Sequence, residues 1–199
     1  MQKQRVPILI VSFMLILGLF TALLPSGTAF AAGTLTFKSV EDAYVNHSSA
    51  GSNYGNSSSL RVDHSPILRS YLKFKIAGLN GAGVTSAKLR LHANSSSGSG
   101  YTVSTTSSSW SESNLTYSNA PAAESQVGSI SSVSGGSWSE VDVTSAVKGE
   151  GSLSFVVQTP GNTAINLSSR EDGSNDPQLI VTLTDTTVST AVPPTATIQ

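Results

Sequence analysis

Two neighbouring segments of the chain alternate apolar and polar side chains. Residues 69–76 read RSYLKFKI and residues 84–93 read VTSAKLRLHA. A period of two is typical of β-strands that have one buried face and one polar face. The sequence between them, AGLNGAG, supplies the glycines that a chain reversal needs. We therefore predict two strands, each with an apolar face and a cationic face.

Similar short alternations recur along the chain, without any long helical pattern. They lie at residues 34–40, 43–45, 60–62, 101–103, 127–130, 137–143, 153–157, 165–167 and 179–183. This pattern predicts an all-β fold of roughly ten short strands, an antiparallel β-sandwich or barrel with the jelly roll as its leading form. The segment from Trp110 to Pro121 does not alternate, and we expect an ordered connection held by Trp110, Leu115 and Tyr117.

The amino terminus is typical of a secretory signal peptide. Lys3 and Arg5 precede an apolar run over residues 8–24, and Ala29-Phe30-Ala31 forms a small-residue cleavage site. We predict that residues 1–31 are removed, which gives a secreted protein with no stable membrane span. The alternative is an uncleaved anchor, because the apolar run approaches the length of a membrane-spanning helix.

The remaining chain divides into one domain and a tail. Residues 32–185 have the length of a single domain and contain no cysteine, so that the core, with or without a metal, must stabilise it. Residues 186–199 are rich in threonine and proline and are typical of an extracellular linker. We expect such a linker to lead to a catalytic or surface domain beyond it.

Charge is distributed unevenly along the predicted mature chain. Removing Lys3 and Arg5 from eleven basic residues leaves nine against twelve acidic ones, a net charge of −3 with histidine neutral. A secreted protein with acidic net charge is an unsuitable partner for nucleic acid. Most of the basic residues nevertheless lie in the first half of the domain, which favours one electropositive surface. The simplest alternative is a set of ordinary solvated faces.

Nine short motifs occur in an order that resembles DNRLRE domains, which are also classed as carbohydrate-binding module family 96. In chain order they are DAYV (42–45), NYG (53–55), LRVD (60–63), RSYLKF (69–74), AKLRL (87–91), WSESNLTYSNAP (110–121), VDVTSAV (141–147), SSRE (168–171) and PQL (177–179). The resemblance covers residues 34–184. It implies a non-catalytic jelly-roll β-sandwich, appended to secreted polysaccharide lyases and other matrix-directed proteins, with acidic polysaccharides such as alginate among its ligands.

Two positions depart from the pattern of the family. Lys75 stands where family members often carry Asp, and Tyr117 with Ser118 stands where they favour Trp-Asn. The first difference makes the strand more cationic and bears on the class of ligand. The second difference, at Tyr117 and Ser118, alters only the packing of the connection.

The cationic faces of the two alternating strands are the predicted carbohydrate-binding residues. They are Arg69, Tyr71, Lys73, Lys75, Lys88, Arg90 and His92. Ammonium and guanidinium groups pair with the carboxylates of a polyuronate through charge-assisted hydrogen bonds. If the two strands pair or share a sheet, their cations form one basic stripe along which such a polymer could run.

Calcium binding is a separate hypothesis, because carboxylate oxygens are the ligands that Ca²⁺ prefers. We predict Glu41, Asp42 and Asp142 as ligands, with Glu171 and Asp172 as further candidates at the sandwich edge. No dense ligand spacing supports this site. Asp142 could equally cap a turn that begins near Thr144, and we prefer an ion pair for Arg170 and Glu171.

Two other functions compete with carbohydrate binding. In a polysaccharide lyase, His92, Tyr101 and Arg90 could act together in proton abstraction beside a carboxylate. The usual hydrolase and metalloprotease motifs are absent from the sequence, so we predict that the chain is not an enzyme. A structural or adhesive spacer domain is the main alternative.

Overall fold

Ten antiparallel strands make up the domain in a computed structural model that describes residues 33–184. The strands are β1 (Thr34–Asn46), β2 (Ser59–His64), β3 (Ile67–Ile76), β4 (Val84–Ala93), β5 (Tyr101–Thr106), β6 (Ala123–Ile130), β7 (Ser137–Asp142), β8 (Gly151–Gln158), β9 (Ile165–Ser168) and β10 (Gln178–Leu183). Three single 3₁₀ turns lie at His47–Ser49, Thr144–Ala146 and Arg170–Asp172. The prediction of an all-β, antiparallel fold is confirmed. The predicted signal peptide and linker lie outside the described residues.

Hydrogen bonding links the strands in the order β1-β10-β4-β9-β2-β3-β8-β5-β6, with β7 paired to β4. Strand β1 takes part twice, because Thr34–Lys38 pair with β10 and Ser39–Asn46 pair with β3. The register shifts between Ser39 and Glu41, and Val40 at this irregularity is 46% exposed. The two short segments predicted at 34–40 and 43–45 are thus one strand with a bulge. The β-sandwich and its jelly-roll form stay predictions.

One apolar core receives side chains from both alternating strands. Leu72, Phe74 and Ile76 of β3 and Leu89 and Leu91 of β4 all lie in it and are almost fully buried. Burying side chains of this size stabilises a fold by roughly 1.5–3 kcal/mol each. The cationic side chains of β3 and β4 alternate with these residues and therefore point away from the core on each strand, and β3 and β4 do not pair with each other.

The connection between β5 and β6, residues 107–122, packs over β3. Leu115 is buried in a second cluster with Tyr71, against which Trp110 and Tyr117 also pack. Asn53 donates hydrogen bonds from Nδ2 to the carbonyl oxygens of residues 112 and 115, both at 2.7 Å. The prediction that Trp110, Leu115 and Tyr117 hold this connection in place is confirmed.

Candidate functional site

The outward side of β4 carries three of the predicted binding residues, Lys88, Arg90 and His92. Antiparallel pairing places Asp142, Glu140 and Trp138 of β7 opposite them, in that order. Gln178 of β10 pairs with Arg90 on the other edge of β4, and Arg90 Nη1 donates to its Oε1 at 3.4 Å. We call Lys88, Arg90, His92, Trp138, Glu140 and Gln178 the β4 surface.

Trp138 supplies the aromatic ring of the β4 surface. The guanidinium carbon of Arg90 lies 4.4 Å from the centroid of the indole ring, a cation–π contact. The ring of His92 meets the indole edge-on, with centroids 5.3 Å apart. Sequence reasoning missed Trp138, although the alternation of SWSEVDV places it out of phase with the buried Val141 and Val143 and hence on the outer side.

Partly exposed ion pairs connect the cations of the β4 surface to Glu140. Lys88 Nζ lies 3.1 Å from Glu140 Oε2, and Arg90 Nε lies 3.5 Å from Glu140 Oε1. The side chains of Lys88, Arg90 and Glu140 are 50%, 31% and 42% exposed, respectively. Ion pairs in such positions contribute only about 0–1 kcal/mol, because water screens them. A ligand carboxylate could therefore replace Glu140 as the partner at little cost.

The outward side of β3 is the second half of the predicted stripe, and most of it is covered. We call Arg69, Tyr71, Lys73 and Lys75 the β3 surface. Tyr71 is fully buried beneath Trp110, and its hydroxyl donates to the carbonyl oxygen of Pro121 at 2.9 Å. The guanidinium of Arg69 lies 5.7 Å from the ring centroid of Tyr117.

Lys73 is mostly buried beneath the 107–122 connection, where its ammonium group has three partners. Its Nζ lies 2.6 Å from Glu41 Oε2, donates to the carbonyl oxygen of Trp110 and sits 4.6 Å from the indole centroid. The Lys73 side chain is only 11% exposed, whereas Lys75 is exposed at the end of the strand. Since β3 and β4 do not pair and Lys73 is buried, the structure does not bring the predicted cations into a single stripe.

A concavity of about 500 Å³ lies beside the covered surface. Its lining is mainly hydroxyl and amide side chains around one indole, from Ser108, Ser109, Trp110, Ser111, Asn114, Leu115 and Asn119. The volume falls within the range of ligand pockets, roughly 300–1,000 Å³. This concavity is thus a second place where a sugar could be held.

The three predicted calcium ligands, Glu41, Asp42 and Asp142, do not come together. Glu41 pairs with Lys73, and the Oδ1 atom of Asp142 accepts from the backbone N–H of Thr144 at 2.9 Å. That hydrogen bond lowers the pKa of Asp142. Among the described residues Asp42 is thus grouped with other acids than Glu41 and Asp142, and Asp142 makes the hydrogen bond to the turn at Thr144 that the alternative expected.

Asp42 instead lies beside Glu112 and Glu171. One carboxylate oxygen from each of the three residues lies within 4.8 Å of the others. The expected contact between Arg170 and Glu171 is present at 3.1 Å. Glu112 was missed because it lies 70 residues from Asp42 in a segment without strand alternation.

Asp42 is fully buried, and its ionised form is unfavourable there. Its Oδ2 accepts from the backbone N–H of Arg170 and from the hydroxyl of Ser39, both at 3.0 Å. Desolvation nevertheless outweighs these bonds and, with the neighbouring charges of Glu171 and Glu112, raises the pKa of Asp42 from 3.8 to about 7.

The catalytic trio considered for a lyase is not assembled. Tyr101 is fully buried, and its hydroxyl shares a 2.7 Å hydrogen bond with Ser139 Oγ. Burial raises the pKa of Tyr101 to about 12. His92 and Arg90 lie on the outer side of β4, so that Tyr101 cannot meet the same substrate atom.

A family model for carbohydrate-binding module family 96 matches residues 33–183, nearly the whole described domain. The chain belongs to carbohydrate-binding module family 96. The resemblance seen in the ordered motifs is thereby confirmed, and membership makes the domain a carbohydrate-binding module. No curated protein matches the chain. Within residues 33–184 of the module, no helix is long and apolar enough to cross a membrane.

Proposed function

We propose that this module is secreted and binds an acidic polysaccharide, such as alginate, along the β4 surface without cleaving it. The observation that carries the proposal is the stacking of Arg90 on Trp138 in a partly exposed position. This arrangement offers an aromatic ring to a sugar face and a guanidinium to a carboxylate of the same polymer.

The spacing of the cations supports an extended ligand. Lys88 and Arg90 are alternate residues of one strand, so their backbones stand roughly 6.6–6.8 Å apart. Across the sheet, Glu140, Arg90, Gln178 and Lys38 lie in one register. Lys38 pairs with Asp176 while its side chain is 69% exposed, which leaves it free to exchange partners. A polymer that lies across these strands would meet charged and amide groups in succession.

Glu140 favours a second candidate, a neutral glycan. Its carboxylate offsets much of the charge of Lys88 and Arg90, and carboxylates accept hydrogen bonds from sugar hydroxyls. In this alternative the same Trp138 ring supports an uncharged sugar. The two candidates share a surface and differ in the charge of the ligand.

Affinity electrophoresis in gels containing alginate, pectate, xylan or no polymer tests both candidates. We expect alginate or pectate to retard the protein, relative to its own mobility in the polymer-free gel. Arg90→Ala and Trp138→Ala should each reduce that retardation strongly, whereas Lys75→Ala on the β3 surface should leave it unchanged. Each variant is compared with its own polymer-free mobility because the substitutions alter net charge.

Retardation by xylan alone would favour the neutral glycan. Unchanged mobility in every gel would contradict polysaccharide binding and favour a structural spacer. Secretion is tested separately by sequencing the amino terminus of the exported protein, where we expect residue 32 to come first.

A further inference from the structure

Three acidic side chains from distant parts of the chain meet at one edge of the domain. Asp42 comes from β1, Glu112 from the 107–122 connection and Glu171 from the 3₁₀ turn Arg170–Asp172. Their carboxylate oxygens lie within 4.8 Å of one another. Ligands on opposite sides of Ca²⁺ stand about 4.6–5.2 Å apart, because each Ca–O distance is about 2.3–2.6 Å. The separation therefore suits a shared ion.

Hydrogen bonds fix the positions of these carboxylates. The backbone N–H of Asp42 donates to Glu112 Oε1 at 2.9 Å. Arg170 Nη1 lies 2.7 Å from Glu112 Oε2 and 3.1 Å from Glu171 Oε1. The guanidinium thus occupies one side of the cluster, and within the described residues only Asp42 Oδ1 and Glu171 Oε2 are left for a further partner.

These two oxygens are buried without a partner. Among residues 33–184, neither Asp42 Oδ1 nor Glu171 Oε2 accepts a hydrogen bond. Asp42 is 0% exposed, and the side chain of Glu171 is 24% exposed. A buried carboxylate oxygen without a hydrogen bond is costly, so that a cation or a proton is expected beside it.

The charge of the cluster favours a cation over a single proton. Three ionised carboxylates and one guanidinium leave two negative charges, which a divalent ion would neutralise. Carboxylate oxygens in an irregular arrangement suit Ca²⁺ better than Mg²⁺, which demands a near-ideal octahedron and retains several waters. The buried position of Asp42 leaves little room for those waters.

We propose that Asp42, Glu112 and Glu171 bind one Ca²⁺ ion, which joins β1 to the 107–122 connection and to the 3₁₀ turn at Arg170. The ion stabilises the 107–122 connection that covers β3. This structural role goes beyond the binding of carbohydrate. Asp142, which sequence reasoning grouped with Asp42, takes no part in the site.

Isothermal titration of the EDTA-treated protein with CaCl₂, without polysaccharide, tests the site. We expect one ion per chain and a thermal unfolding midpoint that rises by about 5–10 °C at 100 times Kd. Asp42→Asn and Glu171→Gln should each weaken Ca²⁺ binding at least about tenfold. Asp142→Asn, an exposed acid outside the cluster, is the matched control and should bind Ca²⁺ like the unaltered protein.

Either of two results would overturn the proposal. One is the absence of binding heat and of any change in unfolding midpoint up to 10 mM CaCl₂, with no calcium in the protein as purified. The other is Ca²⁺ binding that both cluster variants retain in full. Should Asp42→Asn not fold, Glu171→Gln alone decides, because its partly exposed side chain tolerates an amide.

Discussion

The β3 and β4 surfaces start from the same sequence pattern and end in different environments. Both strands alternate apolar residues with cations, and both bury their apolar residues in the same core. On β3 the 107–122 connection then covers Tyr71 and Lys73, and Trp110 lies on them. On β4 the neighbouring strands leave Lys88 and Arg90 partly exposed.

A cationic residue on a strand of this domain has one of two roles. Lys73 has three partners and little contact with water, so it stabilises the fold. Arg90 stacks on an indole and shares the partly exposed Glu140 with Lys88, so it can exchange partners. Alternation shows which residues share a side of a strand, but the rest of the chain decides whether that side is open.

The largest expected effect is the loss of stability on Lys73→Ala. The substitution leaves the Glu41 carboxylate and the Trp110 carbonyl oxygen without their buried partner. Leaving partly buried groups unpaired in this way costs about 1–3 kcal/mol, less than breaking a fully buried pair, because the Glu41 side chain is 32% exposed. Lys75→Ala, two residues along the same strand and exposed, should change the free energy of unfolding by less than about 0.5 kcal/mol. Urea denaturation of the two variants measures the difference, and equal stabilities would show that the covering of β3 is not tight.

A second effect concerns Asp42, which contacts the same 107–122 connection through Glu112. In the unfolded chain Asp42 ionises near 3.8, whereas in the folded protein its pKa is about 7. Between these values the folded state retains a proton that the unfolded state has lost. The contribution of Asp42 to stability is therefore fully present below pH about 4 and is lost as pH rises towards 7 and above.

The slope of this loss is at most about 1.4 kcal/mol per pH unit. Urea denaturation in EDTA at several pH values between 4 and 8 measures it. In Asp42→Asn, which keeps Glu112, Glu171, Arg170 and Ser39 around the site, this slope should disappear. The same slope in both proteins would contradict the burial of an ionisable group there.

A smaller effect on ligand binding is expected for a substitution that keeps the positive charge of a side chain and changes its shape. Arg90→Lys on the β4 surface removes the planar group that stacks on Trp138. We expect the Kd for an oligouronate to rise about three- to tenfold, or about 1 kcal/mol. Arg69→Lys on the β3 surface is the control and should leave the Kd unchanged. Titration calorimetry measures both, and a larger loss in the control would move the site to β3.

The smallest effect is expected for Lys88→Gln on folding stability. Lys88 is 50% exposed and its pair with Glu140 is screened by water, so the free energy of unfolding should change by less than about 0.5 kcal/mol. Thermal unfolding of this variant beside Lys73→Ala contrasts the two surfaces directly. A loss above 1 kcal/mol would mean that the pair is structural.

Sequence reasoning succeeded where the evidence is local. The period of two identified β3 and β4, and the apolar and aromatic residues of the non-alternating connection indicated that Leu115 anchors it. Residue order alone could not show that β3 and β4 belong to different pairings, because strand pairing depends on contacts far apart in the chain. For the same reason, the sequence did not show that Asp42 lies beside Glu112 and Glu171.

The two tryptophans of the chain allow the most direct test of where the ligand binds, because Trp138 belongs to the β4 surface and Trp110 covers the β3 surface. In a ¹⁵N-labelled sample their indole N–H signals can be followed separately during titration with an oligouronate, after assignment with Trp110→Phe and Trp138→Phe. We predict that the Trp138 signal shifts with ligand concentration and that the Trp110 signal does not. A shift of Trp110 with Trp138 unmoved would place the ligand at the concavity beside the β3 surface and contradict a binding site on β4.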